Sequence, residues 1–173
     1  SHEVTKLLHI IGDFERISDH AVNISESAQE MFDKKLEFSE NAKNELSVMI
    51  SAVDEILDSA LKAFCDEDLD VAFRVEPLEE VIDTLNSRLK KRHVARLQKG
   101  ECTIELGFVL SDLLTNLERV SDHCSNIAGC VIEIEHDTLD MHEYMEKLKS
   151  EGNPRYTSCY EAYRAKYILP AKG

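Results

Sequence analysis

One eleven-residue phrase occurs twice in the chain and constrains its fold more than any other feature. The two copies, Phe14–Ile24 and Leu117–Ile127, align at an offset of 103 residues and share Glu, Arg, Ser, Asp, His and Asn at corresponding positions. Apolar residues within and around each copy recur at alternating steps of three and four, which is the pattern of a helix packed in a bundle. The sequence therefore predicts two long, related helices.

Acidic side chains accompany the apolar seam in both copies. If Leu117 and Val120 lie on the seam, then Glu118, Asp122 and Asn126 point outward from it. Two acids four residues apart are neighbours on a helix and repel each other by roughly 0.2–0.5 kcal/mol. Oxygen donors in this arrangement suit a hard or borderline cation such as Mg, Ca, Mn, Fe or Zn. The corresponding residues of the first copy are Glu15, Asp19 and Asn23.

The composition indicates a helix-rich chain and limits its partners. The 173 residues include only six glycines and three prolines, so one helical domain with a sizeable core is expected. The formal charge of −14 argues against nucleic acid as a partner, because affinity for phosphate backbones comes mainly from Lys and Arg. It favours cations or a basic protein surface instead.

The five cysteines and the first residues of the chain indicate the cellular compartment in which the protein is expected. An odd number of cysteines without CxxC spacing predicts reduced thiols and a cytosolic compartment. Cys124 lies on the seam and is expected to be a small buried hydrophobe. No apolar run approaches the roughly 20 residues of a membrane span. Because the sequence opens inside an amphipathic pattern, we expect it to be part of a longer protein.

The apolar periodicity predicts four long helices followed by two short ones. Ser39 is expected to cap the second helix, Pro77 to kink the third and Gly100 to end it. Four tyrosines of the last helix recur at steps of three and four, a pattern more typical of packing than of ligand binding. The predicted helices are Glu3–Phe32, Glu40–Phe64, Leu69–Leu97, Thr103–His136, Met141–Ser150 and Arg155–Tyr167.

The third helix repeats the acidic spacing. Glu79 and Asp83 are four residues apart, as in the repeated phrases, and Glu76 and Glu80 lie beside them. A single pair at this spacing is common on acidic helices and is usually a solvated face. Three pairs, two of them inside a repeated phrase, favour a cation site.

With these residues in place, the chain resembles a known family. The segments ERISDHAVNI and ERVSDHCSNI, about a hundred residues apart on long helices, resemble the two signature copies of the PhoU family of phosphate-uptake regulators. The resemblance implies an all-α antiparallel bundle built from three-helix repeats, with the signature on the third helix of each. Residues 1–36 would be the last helix of a truncated first repeat, 39–136 a complete second repeat, and 137–173 a tail with two short helices.

The tail extends the resemblance. LDMHEYMEKLK and YEAYRAKYIL are similar to the ending of the PhoU-like domain fused behind sodium/phosphate cotransporters. This implies a non-catalytic, cytoplasmic regulatory domain at the inner face of the cell membrane, in the same polypeptide as the transporter. The alternative is a stand-alone PhoU-type regulator of phosphate signalling. We also expect a homo-oligomer, because the truncated first repeat leaves its helix seam incompletely covered, and phosphate as a further ligand.

The family further implies metal clusters on the bundle surface, iron first, with zinc, nickel or manganese as alternatives. Matching its E(D)-x-x-x-D motif assigns Glu79 and Asp83 with Glu118 and Asp122 as ligands. The first-repeat pair, Glu15 and Asp19, lacks the helix that would supply partners. His20 and His123 flank the seam and are expected to hydrogen-bond across helices rather than bind metal. The supporting residues are Asn23, Asn126, His20, His123, Glu80 and Glu76.

Two other classes of protein compete with this interpretation. A ferritin-like di-metal oxidase would use core-facing Glu and E-x-x-H motifs, but E-x-x-H occurs only at Glu133–His136. The sequence shows no Ser/His/Asp or Cys/His set at telling spacing and no glycine-rich phosphate loop, which favours a protein that is not an enzyme. The second competing hypothesis is a purely structural module whose acidic face is only solvated.

Overall fold

Five helices make up the fold that the computed structural model describes, which covers residues 2–136, 146 and 153–171. Within these residues no strand occurs, and each helix ends within two residues of its predicted bounds. The predicted all-α bundle is therefore confirmed. The predicted helix Met141–Ser150 lies outside the described residues except for Glu146, which is helical. The helices are α1 (His2–Lys34), α2 (Glu40–Cys65), α3 (Leu69–Gln98), α4 (Ile104–His136) and α5 (Pro154–Lys166).

Local signals in the sequence set the helix ends. Ser39 caps α2 as predicted, because its hydroxyl accepts a hydrogen bond from the Ala42 N–H. The Asp68 carboxylate caps α3 in the same way. Gly100 follows α3 with a φ of 71°, a left-handed conformation that favours glycine. Pro77, where the sequence predicts a kink, lies buried within α3, which continues as one α-helix on both sides.

The two signature helices lie antiparallel along almost their whole length. Lys6 of α1 pairs with Glu133 near the end of α4, and Lys34 pairs with Glu105 near its start. Helices α2, α3 and α4 form a three-helix unit, against which α1 packs mainly through α4. The antiparallel order follows from the short connections between successive helices.

The apolar seams meet in one core. Ile10 and Ile17 of α1 are buried against this core, so the seam of α1 is covered at these two positions. Cys124 is fully buried, as predicted, and all five cysteines are free thiols. Each large apolar side chain removed from water stabilises the fold by about 1.5–3 kcal/mol. The largest fully buried apolar side chains include Ile10, Met49, Ile56, Leu78, Ile82, Leu89, Leu114 and Ile127.

A second apolar stripe of α1 has no neighbour among the described residues. It runs beside the seam at Val4, Leu8, Ile11, Val22 and Phe32, all of them exposed. The repeat explains the difference between the helices, because the matching face of α4 packs against α2 and α3. The seam itself is incompletely covered, as expected, because its residues Leu7, Ala21 and Ala28 are exposed, and the adjacent stripe enlarges the uncovered surface. None of the described helices is long and apolar enough to cross a membrane.

Helix α5 packs on α3 through its tyrosines. The Tyr156 hydroxyl donates a hydrogen bond to Glu80 of α3, and Tyr160 and Tyr163 pack against the core. The Tyr167 hydroxyl donates to Glu55 of α2. The tyrosine stripe thus has the packing role that its spacing indicates.

Candidate metal centre

Three carboxylates from α3 and α4 converge at one place, and we call them the three-carboxylate cluster. Glu79 and Asp83 lie one turn apart on α3, and Asp122 of the second signature phrase faces them from α4. One oxygen from each residue lies within 4.8 Å of the others. This spacing would allow one cation to contact all three, since carboxylate oxygens bind cations at about 2.0–2.6 Å.

The cluster holds a proton where a cation would fit. Burial, together with the negative charges of Glu76 and Asp83, raises the pKa of Glu79 to about 9. Burial and the charge of Asp83 also raise the pKa of Asp122. A pKa of about 9 favours the protonated form of Glu79 at neutral pH, and its single O–H can donate a hydrogen bond to Asp83 or to Asp122. A bound cation would take over the role of this proton, because metal ligands must be deprotonated.

Glu118, assigned with these residues from the sequence, lies apart from the cluster. Its carboxylate accepts a hydrogen bond from the Asn86 side chain and lies 3.9 Å from the Lys90 ammonium group. The Glu118 side chain is 33% exposed. The structure thus brings three of the four assigned ligands together and directs the fourth to a neighbouring amide and ammonium group.

The two acids beside the α3 motif bond to other groups. The buried Glu76 carboxylate accepts a hydrogen bond from the Ser125 hydroxyl of α4. Glu80 accepts from Tyr156. Their role toward the cluster is electrostatic, and Glu76 in particular raises the cost of ionising Glu79.

The predicted outward direction of the second-copy carboxylates is only partly right. Glu118 and Asp122 are half-buried and lie where α3 packs along α4. A single heptad seam describes a helix with one buried face, but α4 contacts α1, α2 and α3. Its second buried face includes Ser121, which is fully buried. The carboxylates therefore sit at the edge of an interface, where ionisation costs more than on an open surface.

The first-copy carboxylates are not assembled. Glu15 and Asp19 are exposed on α1, and among the described residues they belong to no group of metal-ligating side chains. Their counterparts on α4 have α3 beside them, whereas α1 has no such neighbour. The cation capacity of this copy stays a prediction.

The histidines instead join the two signature helices, as expected. His20 Nδ1 donates to Asn116 Oδ1 at 2.9 Å, and His123 Nδ1 bonds to Asp13 Oδ1 at 2.8 Å. The two rings stack with centroids 5.6 Å apart. Asn23 donates to the same Asn116 oxygen. Asn126 likewise donates to Asp13 at 3.4 Å.

These contacts give the helix pair an approximate two-fold symmetry. Asp13 and Asn116 are themselves 103 residues apart, the offset of the repeat, and each immediately precedes its phrase. Sequence reasoning missed both residues because the aligned phrase was begun one position too late. It also missed Asn86, for which the sequence carries no signal.

The E-x-x-H motif does not form a core-facing metal site. The buried Glu133 carboxylate pairs with Lys6 of α1, and His136 is exposed at the end of α4. Among the described residues, the three-carboxylate cluster is the one group of three or more acidic, histidine or cysteine ligands close enough to hold a metal. This arrangement differs from the facing motifs of ferritin-like oxidases.

The fold and the site define a class: a helical bundle with a repeated signature helix and acidic residues at a helix interface. The model of the family described as PhoU domain matches residues 1–28 and 46–131. The chain belongs to the PhoU domain family. The two matched segments contain the two signature phrases, one in each.

Relatives with assigned names agree with this membership. Phosphate-specific transport system accessory protein PhoU homolog 1 of Thermotoga maritima is 32% identical over 147 residues, covering 85% of this chain and 62% of the relative. A PhoU homolog of the same description from Pseudomonas aeruginosa is 26% identical over 141 residues, covering 80% and 57%. One from Deinococcus radiodurans is 24% identical over 125 residues, covering 72% and 57%. The chain thus spans about three fifths of these relatives' length. No solved structure matches the chain.

Proposed function

We propose that the chain is a non-catalytic regulatory domain of phosphate transport that binds a cation at the three-carboxylate cluster. The observation that carries the cation site is the convergence of Glu79, Asp83 and Asp122 within 4.8 Å. Membership of the PhoU domain family supports the regulatory role. The relatives' names, which describe accessory proteins of a phosphate-specific transport system, support the link to transport.

The proposed partner is a membrane phosphate transporter, contacted from the cytoplasmic side. The relatives' names favour a stand-alone PhoU-type accessory protein. The second arrangement, fusion to a sodium/phosphate cotransporter in one polypeptide, is supported by the similarity of the tail. Co-purification of the chain with a transporter from membranes of its own source would test the first. The reading frame that encodes the chain would decide the second.

The donor set limits the choice of cation. Three carboxylates suit hard or borderline cations, and iron is the first candidate, with manganese, zinc or nickel as alternatives. Three protein ligands leave coordination positions open on a cation that prefers six. Those positions would be filled by water, by phosphate or by a partner's side chain, which would connect the cation to regulation.

Thermal unfolding of the metal-free chain, with and without added Mn²⁺ or anaerobic Fe²⁺, tests the cation site. A ligand at a hundredfold excess over its Kd stabilises the folded state by about 2.7 kcal/mol. For a chain of this size we expect the melting temperature to rise by about 5–10 °C. The variant Asp83→Asn with Asp122→Asn should lose this rise, because two of the three ligands lose their charge.

Two matched variants sharpen the test. Glu118→Gln should retain most of the rise, since Glu118 bonds to Asn86 rather than facing the cluster. Asp19→Asn, at the corresponding position of the first copy, should also retain it. An equal rise in the Asp83/Asp122 variant and the wild type would refute the site. Loss of the rise in Glu118→Gln would instead restore the four-ligand set assigned from the sequence.

A further inference from the structure

A groove lies between α1 and α4, and we call it the arginine groove. It encloses about 730 Å³ and lies on the side of α4 that faces α1. Arg16 and Arg119 both line it, and so do His20 and His123. Each pair consists of repeat-related residues, 103 positions apart. The groove therefore lies across the approximate two-fold axis that relates the two signature phrases.

The charges in the arginine groove are unbalanced. Asp13 is the one acidic residue in its lining, and this carboxylate already accepts hydrogen bonds from His123 and Asn126. Neither Arg16 nor Arg119 forms a salt bridge within the described part of the chain, although acidic residues outnumber basic ones by 34 to 20 in the sequence. Two guanidinium groups thus share a concave surface without a direct carboxylate contact, although the charge of Arg119 acts at longer range on Asp122 and opposes the rise that burial causes in the pKa of that carboxyl.

Several other arginines of the chain form salt bridges with carboxylates. Arg92 and Arg96 both contact the buried Glu45 carboxylate, at 2.8 and 2.9 Å. Arg155 pairs with Asp70 at 2.6 Å. These three arginines contact carboxylates directly, whereas neither groove arginine forms a salt bridge within the described part of the chain.

We propose that the arginine groove binds a phosphate-type oxyanion between Arg16 and Arg119. A guanidinium group presents a planar fork of donors that matches two oxygens of such an anion. A tetrahedral anion has two-fold axes of its own, so it can meet two symmetry-related arginines in equivalent ways. The overall charge of −14 slows the approach of anions from a distance but does not cancel two donors at short range.

The binding of inorganic phosphate to the chelator-treated chain, measured by isothermal titration calorimetry, tests the proposal. Removing metal excludes phosphate held by a cation at the three-carboxylate cluster. We expect saturable binding that weakens by about tenfold or more in Arg16→Gln and in Arg119→Gln, because each loses a charge-assisted, bidentate contact. Circular dichroism of both variants should match that of the wild type, because Arg16 and Arg119 are exposed.

Two matched variants separate this proposal from the cation site. Arg88→Gln removes an exposed arginine of α3 outside the groove and should bind phosphate like the wild type. Asp83→Asn with Asp122→Asn should bind phosphate at least as tightly as the wild type, because it removes the Asp122 charge that acts on Arg119, so failure of the cation site does not remove phosphate binding. Absence of phosphate binding, or equal affinity in Arg16→Gln, Arg119→Gln and the wild type, would overturn the proposal.

A lipid headgroup presents the same oxyanion, and a second arm distinguishes this source. Flotation with vesicles of equimolar phosphatidic acid and phosphatidylcholine is compared with flotation on pure phosphatidylcholine. If soluble phosphate binds at the arginines and the chain does not bind the vesicles, the ligand is the free anion. Binding only to the phosphatidic acid vesicles, lost in Arg16→Gln and Arg119→Gln, identifies the headgroup. Vesicle binding that survives both substitutions counts against the groove.

Discussion

Replacing Glu79 by glutamine should remove most of the pH dependence that the three-carboxylate cluster gives to folding. Burial and the charges of Glu76 and Asp83 raise the pKa of Glu79 from 4.5 to about 9. Between these two values the folded state keeps a proton that the unfolded chain has released. The contribution of Glu79 to the free energy of unfolding is therefore most favourable at low pH, and it is lost progressively as the pH rises toward 9.

The size of the effect follows from the number of protons. One extra proton in the folded state corresponds to a slope of about 1.4 kcal/mol per pH unit. Over a range from about pH 5 to about pH 8, the upper limit is about 4 kcal/mol. The cluster lies at the edge of the α3–α4 interface, where water screens the charges, so we expect about 1–2 kcal/mol.

Urea unfolding of the metal-free chain at a series of pH values measures this difference. The wild type should lose stability across the range relative to Glu79→Gln, whose amide stays neutral. Glu26→Gln, at an exposed position of α1, is the matched control and should follow the wild type. If the wild type and Glu79→Gln gave parallel curves, the cluster would not hold a proton and the argument for a displaceable cation position would fail.

Two further predictions concern packing. A Cβ at Gly107 would lie 2.8 Å from His93 Nε2, so Gly107→Ala should destabilise the fold by about 1 kcal/mol after the gain in helix propensity. Gly12→Ala, with no atom within 4 Å, should stabilise it by about 0.5–1 kcal/mol, and equal effects in thermal melts would contradict the packing. The exposed α1 stripe should drive self-association, which light scattering should show weakened by Ile11→Glu but not by Val94→Glu on α3. A monomeric wild type at high concentration would count against it.

The helices and their order could be predicted because each rests on many residues. Apolar residues that recur at steps of three and four over about thirty residues define a helix and its buried face. The helix ends carry local signals such as Ser39 and Gly100. The partners of single side chains could not be predicted in the same way. Glu118 and Asp122 have the same spacing and chemistry in the sequence, yet Asn86 and Lys90 draw one of them away from the cluster. That outcome depends on the rotation of α3 against α4, which no local pattern records.

The direction of adjacent residues explains how one short phrase can serve two sites. Successive side chains on a helix point about 100° apart. On α4, Asp122 therefore faces α3 and the cluster, while His123 faces α1 and Asp13. The first copy places Asp19 and His20 in the same relation, but only His20 has its partner, because α1 has α4 beside it and, among the residues that the structure describes, no equivalent of α3.

The repeated phrase thus takes part in two arrangements. The three-carboxylate cluster requires other helices of the same three-helix unit, whereas the contact between the signature helices requires the other copy of the phrase. Helix pairing between the copies places Arg16 and Arg119 in one groove, and pairing within the unit places Asp83 against Asp122. The two sites lie on different sides of α4 and share that helix as a rigid connection. The charge of Arg119 in the groove opposes the rise that burial causes in the pKa of Asp122 in the cluster, so a bound cation and a bound anion would influence each other through these two side chains.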